Sequence, residues 1–193
     1  MQFKSLLLQV ALASVLSQAT AECQLGNKAE NDAGKKETDE KLCKSQGEGD
    51  WTFSMHTHAV SVPVPGNNGY VGGADFYIFD NECKLRGKYD PGSEGNDCGV
   101  PYIIKENFLD WVLSVTDVGG MSGSGEAYFS FKYGDGKFSI NNNHCDCVDA
   151  SHDVTAEQKC KCAFPVNGDS SNDPDYNKRS IGSSRIMGRA VEN

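Results

Sequence analysis

The chain has 193 residues, of which 38% are hydrophobic, and its 27 acidic against 18 basic residues give a formal net charge of -9. Such a length holds one domain with a moderate core. The acidic balance repels nucleic acid and anionic lipid, so neither nucleic acid nor a membrane is an expected partner.

The first 21 residues read as a signal peptide. Lys4 supplies a positive start, Leu6 to Leu16 is mostly apolar and too short to span a bilayer, and Ala19-Thr20-Ala21 gives a small-x-small end. Cleavage is expected after Ala21, and losing Lys4 makes the remainder one unit more negative. All eight cysteines follow that point: Cys23, Cys43, Cys83, Cys98, Cys145, Cys147, Cys160 and Cys162. An even number of thiols in an exported chain is expected to be joined as disulfides. The predicted location is therefore secreted and extracellular. No Asn-x-Ser/Thr triplet is present, so ordinary N-glycosylation is not expected.

Residues 22–50 form an acidic, charged N-terminal segment with few apolar side chains. Its stretch Ala29 to Leu42 reads as a short exposed helix with almost no core face, held by Cys23 or Cys43. From Trp51 the character changes. Short runs rich in aromatic and β-branched residues occur at 51–55, 58–64, 75–79, 101–105, 108–115, 127–133 and 137–140, separated by clusters of Gly, Pro, Asn and Asp. The pattern predicts a mainly β fold over residues 51–166: a single disulfide-stapled antiparallel β sandwich or barrel. The clearest hairpin is Ala127 to Ile140. Phe129, Phe131 and Tyr133 share one face, Gly134-Asp135-Gly136 turns the chain, and Phe138 and Ile140 resume the alternation. Glu106 to Val115 fits a helix or a strand. The strand is favoured because it puts Leu109, Trp111, Leu113 and Val115 on one apolar side, with Trp111 in the core.

Residues 167–179 are polar, with Gly and Pro, and are expected to be a flexible linker. They end in the dibasic pair Lys178-Arg179, a candidate cut site for furin-like secretory proteases. Cleavage would release a flexible C-terminal tail, residues 180–193, which leaves open a carrier role for the β domain.

Cys145-Asp-Cys147 and Cys160-Lys-Cys162 are the densest cysteine pattern. Residues two apart on a strand point the same way, so the two motifs can face each other, with Cys147 joined to Cys160. Cys83 is expected to join Cys98 across the Asp90-Pro91-Gly92 loop. Zinc is disfavoured because its usual cysteine spacing is wider, and no metal or cofactor is expected.

His56 and His58 share one face of a strand, a spacing that metal enzymes use. Asp75 and Asp80 are conceivable third ligands, but no surrounding motif supports the site, and two surface histidines are the simpler reading. No nucleophile elbow, phosphate loop or identifiable carboxylate pair occurs, so no catalytic residue is assigned. The candidate binding residues are Trp51, Tyr70, His56 and His58. Tyr70, in the Gly-rich stretch 66–73, is the expected exposed anchor.

Taken together, the leader ending in Ala19-Thr20-Ala21, the small cysteine-rich β domain, the acidic flank and Lys178-Arg179 resemble the architecture of a small secreted effector of a filamentous ascomycete. The resemblance spans the chain but carries no motif from which residues transfer. It implies action in the host apoplast or after uptake. The expected partner is a host protein, with an apoplastic protease as first candidate, bound by a monomer that suppresses immunity. A braced β scaffold suits inhibition, since a rigid loop loses little entropy on docking. The alternatives are a small secreted hydrolase using His56, His58 or His144, and a carbohydrate-binding module for cell-wall glycan centred on Tyr70.

Overall fold

The computed structural model describes residues 22–64, 67–93, 98–119, 127–140, 145–152 and 155–169. Ala21 with the leader, His144, and Lys178 and Arg179 with the C-terminal tail lie outside the described residues.

The described chain is mainly β. Its strands are β1 (Cys23–Gln24), β2 (Asp50–Val64), β3 (Asn67–Phe79), β4 (Leu85–Tyr89), β5 (Tyr102–Ile104), β6 (Leu113–Gly119), β7 (Tyr128–Tyr133), β8 (Gly136–Ser139), β9 (Cys145–Asp149) and β10 (Thr155–Pro165). They form two five-stranded sheets, in the orders β1-β5-β6-β7-β8 and β4-β3-β2-β10-β9. All pairings are antiparallel except β1 with β5, which is parallel. Of the two expected architectures, this is the sandwich and not a closed barrel, because neither sheet closes on itself: β1 and β8 are the outermost strands of one, β4 and β9 of the other.

The period-two pattern of β2 explains the layering. Phe53 and Met55 are fully buried toward the first sheet. They meet Phe76 and Ile78 of β3 and Cys160, Cys162 and Phe164 of β10. From the other layer come Phe129, Phe131, Tyr133 and Phe138. Rings interlock across the gap: Phe53 lies 4.9 Å from Phe131 in an edge-on contact, and Tyr133 lies 4.9 Å from Phe164. The β7–β8 hairpin follows the expected alternation. Gly134 takes φ +56° at the first of two turn positions, where a type II′ turn requires glycine.

Three expectations change. First, the stretch 29–42 is not a helix, and it has a core face. It lies on the outer face of the second sheet, where Ala29 and Leu42 pack with Cys43, Phe79, Cys83 and Leu85. Ser54 donates a hydrogen bond to the Leu42 carbonyl, and backbone bonds run along the edge of β4, from Gly34 N–H to Leu85 C=O and from Leu85 N–H to Lys35 C=O. The charged residues thus line a cap whose few apolar side chains are its contact points.

Second, Cys83 does not join Cys98. The pairs are Cys23–Cys98, Cys43–Cys83, Cys145–Cys162 and Cys147–Cys160, four in all. Cys83 sits in the β3–β4 turn beneath the N-terminal cap, whereas Cys98 precedes β5, beside which β1 and Cys23 lie. The two sulfurs therefore belong to different layers. The C-x-C motifs do face each other, since Cys147 is opposite Cys160 and Cys145 opposite Cys162 in the ladder.

Third, strand pairing begins only at Leu113. Leu109, Leu113 and Val115 are buried as expected, but Trp111 is 56% exposed. β5 offers three partners, Tyr102 to Ile104, and these are taken by Leu113 to Val115. Residues 106–112 therefore turn away from the sheet, with a Leu109 N–H to Glu106 C=O bond.

Candidate functional site

Trp51 does not converge with His56 and His58. Trp51, His56 and His58 all lie on β2, but Trp51 has the parity of Phe53 and the histidines have the opposite parity. Trp51 and His58 are also about 23 Å apart along an extended strand. Tyr70 is not in a turn: it belongs to β3, paired with Ser61, and its side chain lies outside the described residues.

The histidines occupy the outer face of the second sheet. In the ladder His56 lies between Asp75 of β3 and Lys159 of β10, and His58 between Gly73 and Glu157. Diagonal approach brings His56 Nε2 to 3.4 Å from Glu157 Oε2, both side chains about one-fifth exposed (22% and 21%). His152 Nδ1 stands 3.9 Å from the other oxygen of the same carboxylate. Asp75 is committed elsewhere: it lies 3.5 Å from Lys88 Nζ and accepts a hydrogen bond from the Tyr77 hydroxyl at 3.2 Å. Burial, then the Asp75 charge, holds the Tyr77 phenol well above its ordinary pKa, so it stays a neutral donor. Asp80 accepts from Glu82 and Lys84 N–H in the β3–β4 turn and serves the backbone there. Among the described residues no group of three His, Cys, Asp or Glu is placed to hold a metal ion. Chemically, the His56–Glu157 pair can exchange a proton with a group set on the sheet.

Trp51 belongs to a different constellation at the end of the sandwich where β2 starts and β10 ends. Its ring lies 5.9 Å from that of Phe108. The Arg86 guanidinium lies over both, 5.5 Å from the Trp51 centroid and 5.7 Å from that of Phe108. Trp111 and Val112, exposed on the same 106–112 turn, extend this end.

Its geometry is fixed from beneath. The buried Tyr133 hydroxyl accepts from Asp110 N–H (3.1 Å) and Trp111 N–H (3.4 Å) and donates to the Val166 carbonyl (2.7 Å). Trp111 Nε1–H donates to the Asn167 carbonyl at 3.0 Å. Gly168, at φ +78°, lets the indole approach: a Cβ there would lie 2.6 Å from the Trp111 ring. Sequence reasoning missed Phe108, Arg86 and the exposure of Trp111. Each depends on partners distant in the chain, and only the aromatic character of residues 108 and 111 was visible.

No protein-family model, curated protein or solved structure matches the chain. Its functional reading therefore rests on these two constellations and on the disulfide frame. Four disulfides in a small β protein are consistent with an extracellular protein.

Proposed function

We propose that this protein is a secreted fungal effector that uses the Trp51–Phe108–Arg86–Trp111 end of the sandwich to bind a host extracellular defence protein, an apoplastic protease in the first instance, and so blunts host immunity. The observation that carries the reading is the exposed Trp111 held over Gly168 and tied through Tyr133. Tryptophan and arginine are the residue types that dominate binding energy, and a surface already rigid before contact loses little entropy on docking. The four disulfides support the same reading, since they let a small fold persist among proteases outside the cell. The negative net charge steers the protein toward a basic partner.

The test is inhibition of, and capture by, a panel of purified host apoplastic proteases, comparing the oxidised protein with Trp111→Ala. Because Trp111 is mostly exposed, the variant is expected to fold normally and bind at least about tenfold more weakly. Equal inhibition by both proteins, or none by either, sinks the proposal.

A second reading, a small secreted hydrolase, is favoured by the 3.4 Å His56–Glu157 pair. Turnover of a polymeric substrate that His56→Ala abolishes, while Trp111→Ala leaves it intact, would select that reading over the first.

A further inference from the structure

Outside both constellations, a recess of about 300 Å³ opens between the N-terminal cap and the outer face of the second sheet. Its base is a two-by-two patch set by the β3–β4 register, with Tyr77 opposite Lys88 and Phe79 opposite Leu85. Residues two apart on one strand face share a side, so the Tyr77 and Phe79 rings lie next to each other. They are nearly parallel, at 13°, with centroids 5.9 Å apart. Phe79 and Leu85 are buried beneath; the accessible lining is the Tyr77 ring and the lysine stems above it.

In an acidic molecule, the lining of the recess carries an excess of one basic side chain, with Asp75 standing beside Lys88 at 3.5 Å. Lys35, Lys36 and Lys88 line it against two acids, Asp32 and Glu37, in a chain whose net charge is -9. Lys35 leans on Asp32 at 2.5 Å, and Lys88 Nζ lies 5.6 Å from the Tyr77 centroid as well as near Asp75. Lys36 is exposed at the rim. The cap that forms the wall is fixed by the Cys43–Cys83 disulfide and the Lys36–Lys84 bridge, so the recess exists before any ligand arrives.

We infer that this recess binds a small planar aromatic anion, such as an aryl carboxylate or sulfonate, with its ring laid on Tyr77 and its anionic group among Lys35, Lys36 and Lys88. The volume stands at the lower end of small-molecule sites, which limits the ligand to one or two rings. Ring stacking and the lysine stems supply the apolar contact, and the lysine excess selects the sign of charge. The site goes beyond the proposed partner surface and does not depend on it, since the two lie on different faces and use different residues.

The experiment titrates the oxidised full chain with naphthalene-2-sulfonate, by calorimetry and by amide chemical-shift mapping, with naphthalen-2-ylmethylammonium as the cation of matched shape. The anion is expected to bind saturably with a dissociation constant of about 1 mM or below. Shifts should concentrate at residues 32–37, 77–79 and 85–88. The cation is expected to bind about tenfold more weakly, as is the anion to Lys36→Glu, a change at an exposed residue that leaves the fold intact. Trp111→Ala should bind the anion as the native protein does. Absence of saturation by about 5 mM, equal affinity for anion and cation, or shifts confined to the Trp111 end would each overturn the inference.

Discussion

At the scale of single residues, Tyr133 holds the proposed partner surface from beneath. Its ring is in the core, 1% exposed, while its hydroxyl holds two N–H groups of the 106–112 turn and the Val166 carbonyl. Burial keeps the phenol protonated, so it can donate and accept across the physiological range. Tyr133→Phe keeps the packing and removes all three bonds. The expected loss is about 1–3 kcal/mol in urea unfolding, because three backbone groups lose their partner in a half-buried place. The same variant is expected to weaken the proposed protease binding although Trp111 is still present, since the backbone turn that carries the indole loses its tie to Val166. If Tyr133→Phe unfolds at the wild-type urea midpoint, the hydroxyl does not fasten the 106–112 turn.

At the scale of elements, the N-terminal cap shows how a segment with little apolar content is kept in place. Lys159 Nζ on β10 donates to Asp39 at 2.7 Å, and Lys161 Nζ donates to the Glu40 carbonyl. The Lys159 hydrogen bond holds the Asp39 carboxyl below its ordinary pKa of 3.8, against a smaller opposing effect of burial. A depressed acid stabilises the fold above its unfolded pKa and loses that contribution as pH falls through the folded value. Asp39→Asn is therefore expected to lower stability by about 0.5–1 kcal/mol near neutral pH and to match the native protein near pH 2. Urea unfolding of both proteins across that range checks it, and a gap that stays constant with pH refutes the assignment. The cap also marks the limit of what could be read from the chain. The β7–β8 hairpin was legible because Phe129, Phe131, Tyr133 and Phe138 alternate around a glycine turn, and the C-x-C pairing because residues two apart share a face. β10 was legible as a strand only at its Cys160-Lys-Cys162 motif, not over its full length. Its outward positions Glu157, Lys159 and Lys161 are poor β formers, and its partners in β2 lie about a hundred residues away. The site was legible only in part: the parity of β2 separates Trp51 from His56, but nothing local says that Phe108, Arg86 or Glu157 will meet them.

At the scale of the whole molecule, the eight cysteines form two nested sets that do not cross. Cys43–Cys83 lies inside Cys23–Cys98, and Cys147–Cys160 inside Cys145–Cys162. Each set secures elements too small to hold alone. The first fixes two-residue β1 and the cap; the second fixes β9, a five-residue edge strand. Nesting makes their contributions unequal. With Cys147–Cys160 closed, Cys145–Cys162 adds only the short ring between adjacent ladder rungs, about 2 kcal/mol in the chain-entropy treatment. Cys43–Cys83 spans 40 residues of sequence, and even with Cys23–Cys98 closed the same treatment gives it about 3 kcal/mol. Removing it also frees the cap that covers Phe79 and Leu85. Cys43→Ala with Cys83→Ala is therefore expected to shift the urea midpoint further than Cys145→Ala with Cys162→Ala. It should also abolish naphthalene-2-sulfonate binding, because the wall of the recess goes with the cap, while the other pair of changes leaves that binding intact. Equal midpoints, or anion binding that survives the loss of Cys43–Cys83, would show that the cap is held by its side-chain contacts and not by the disulfide.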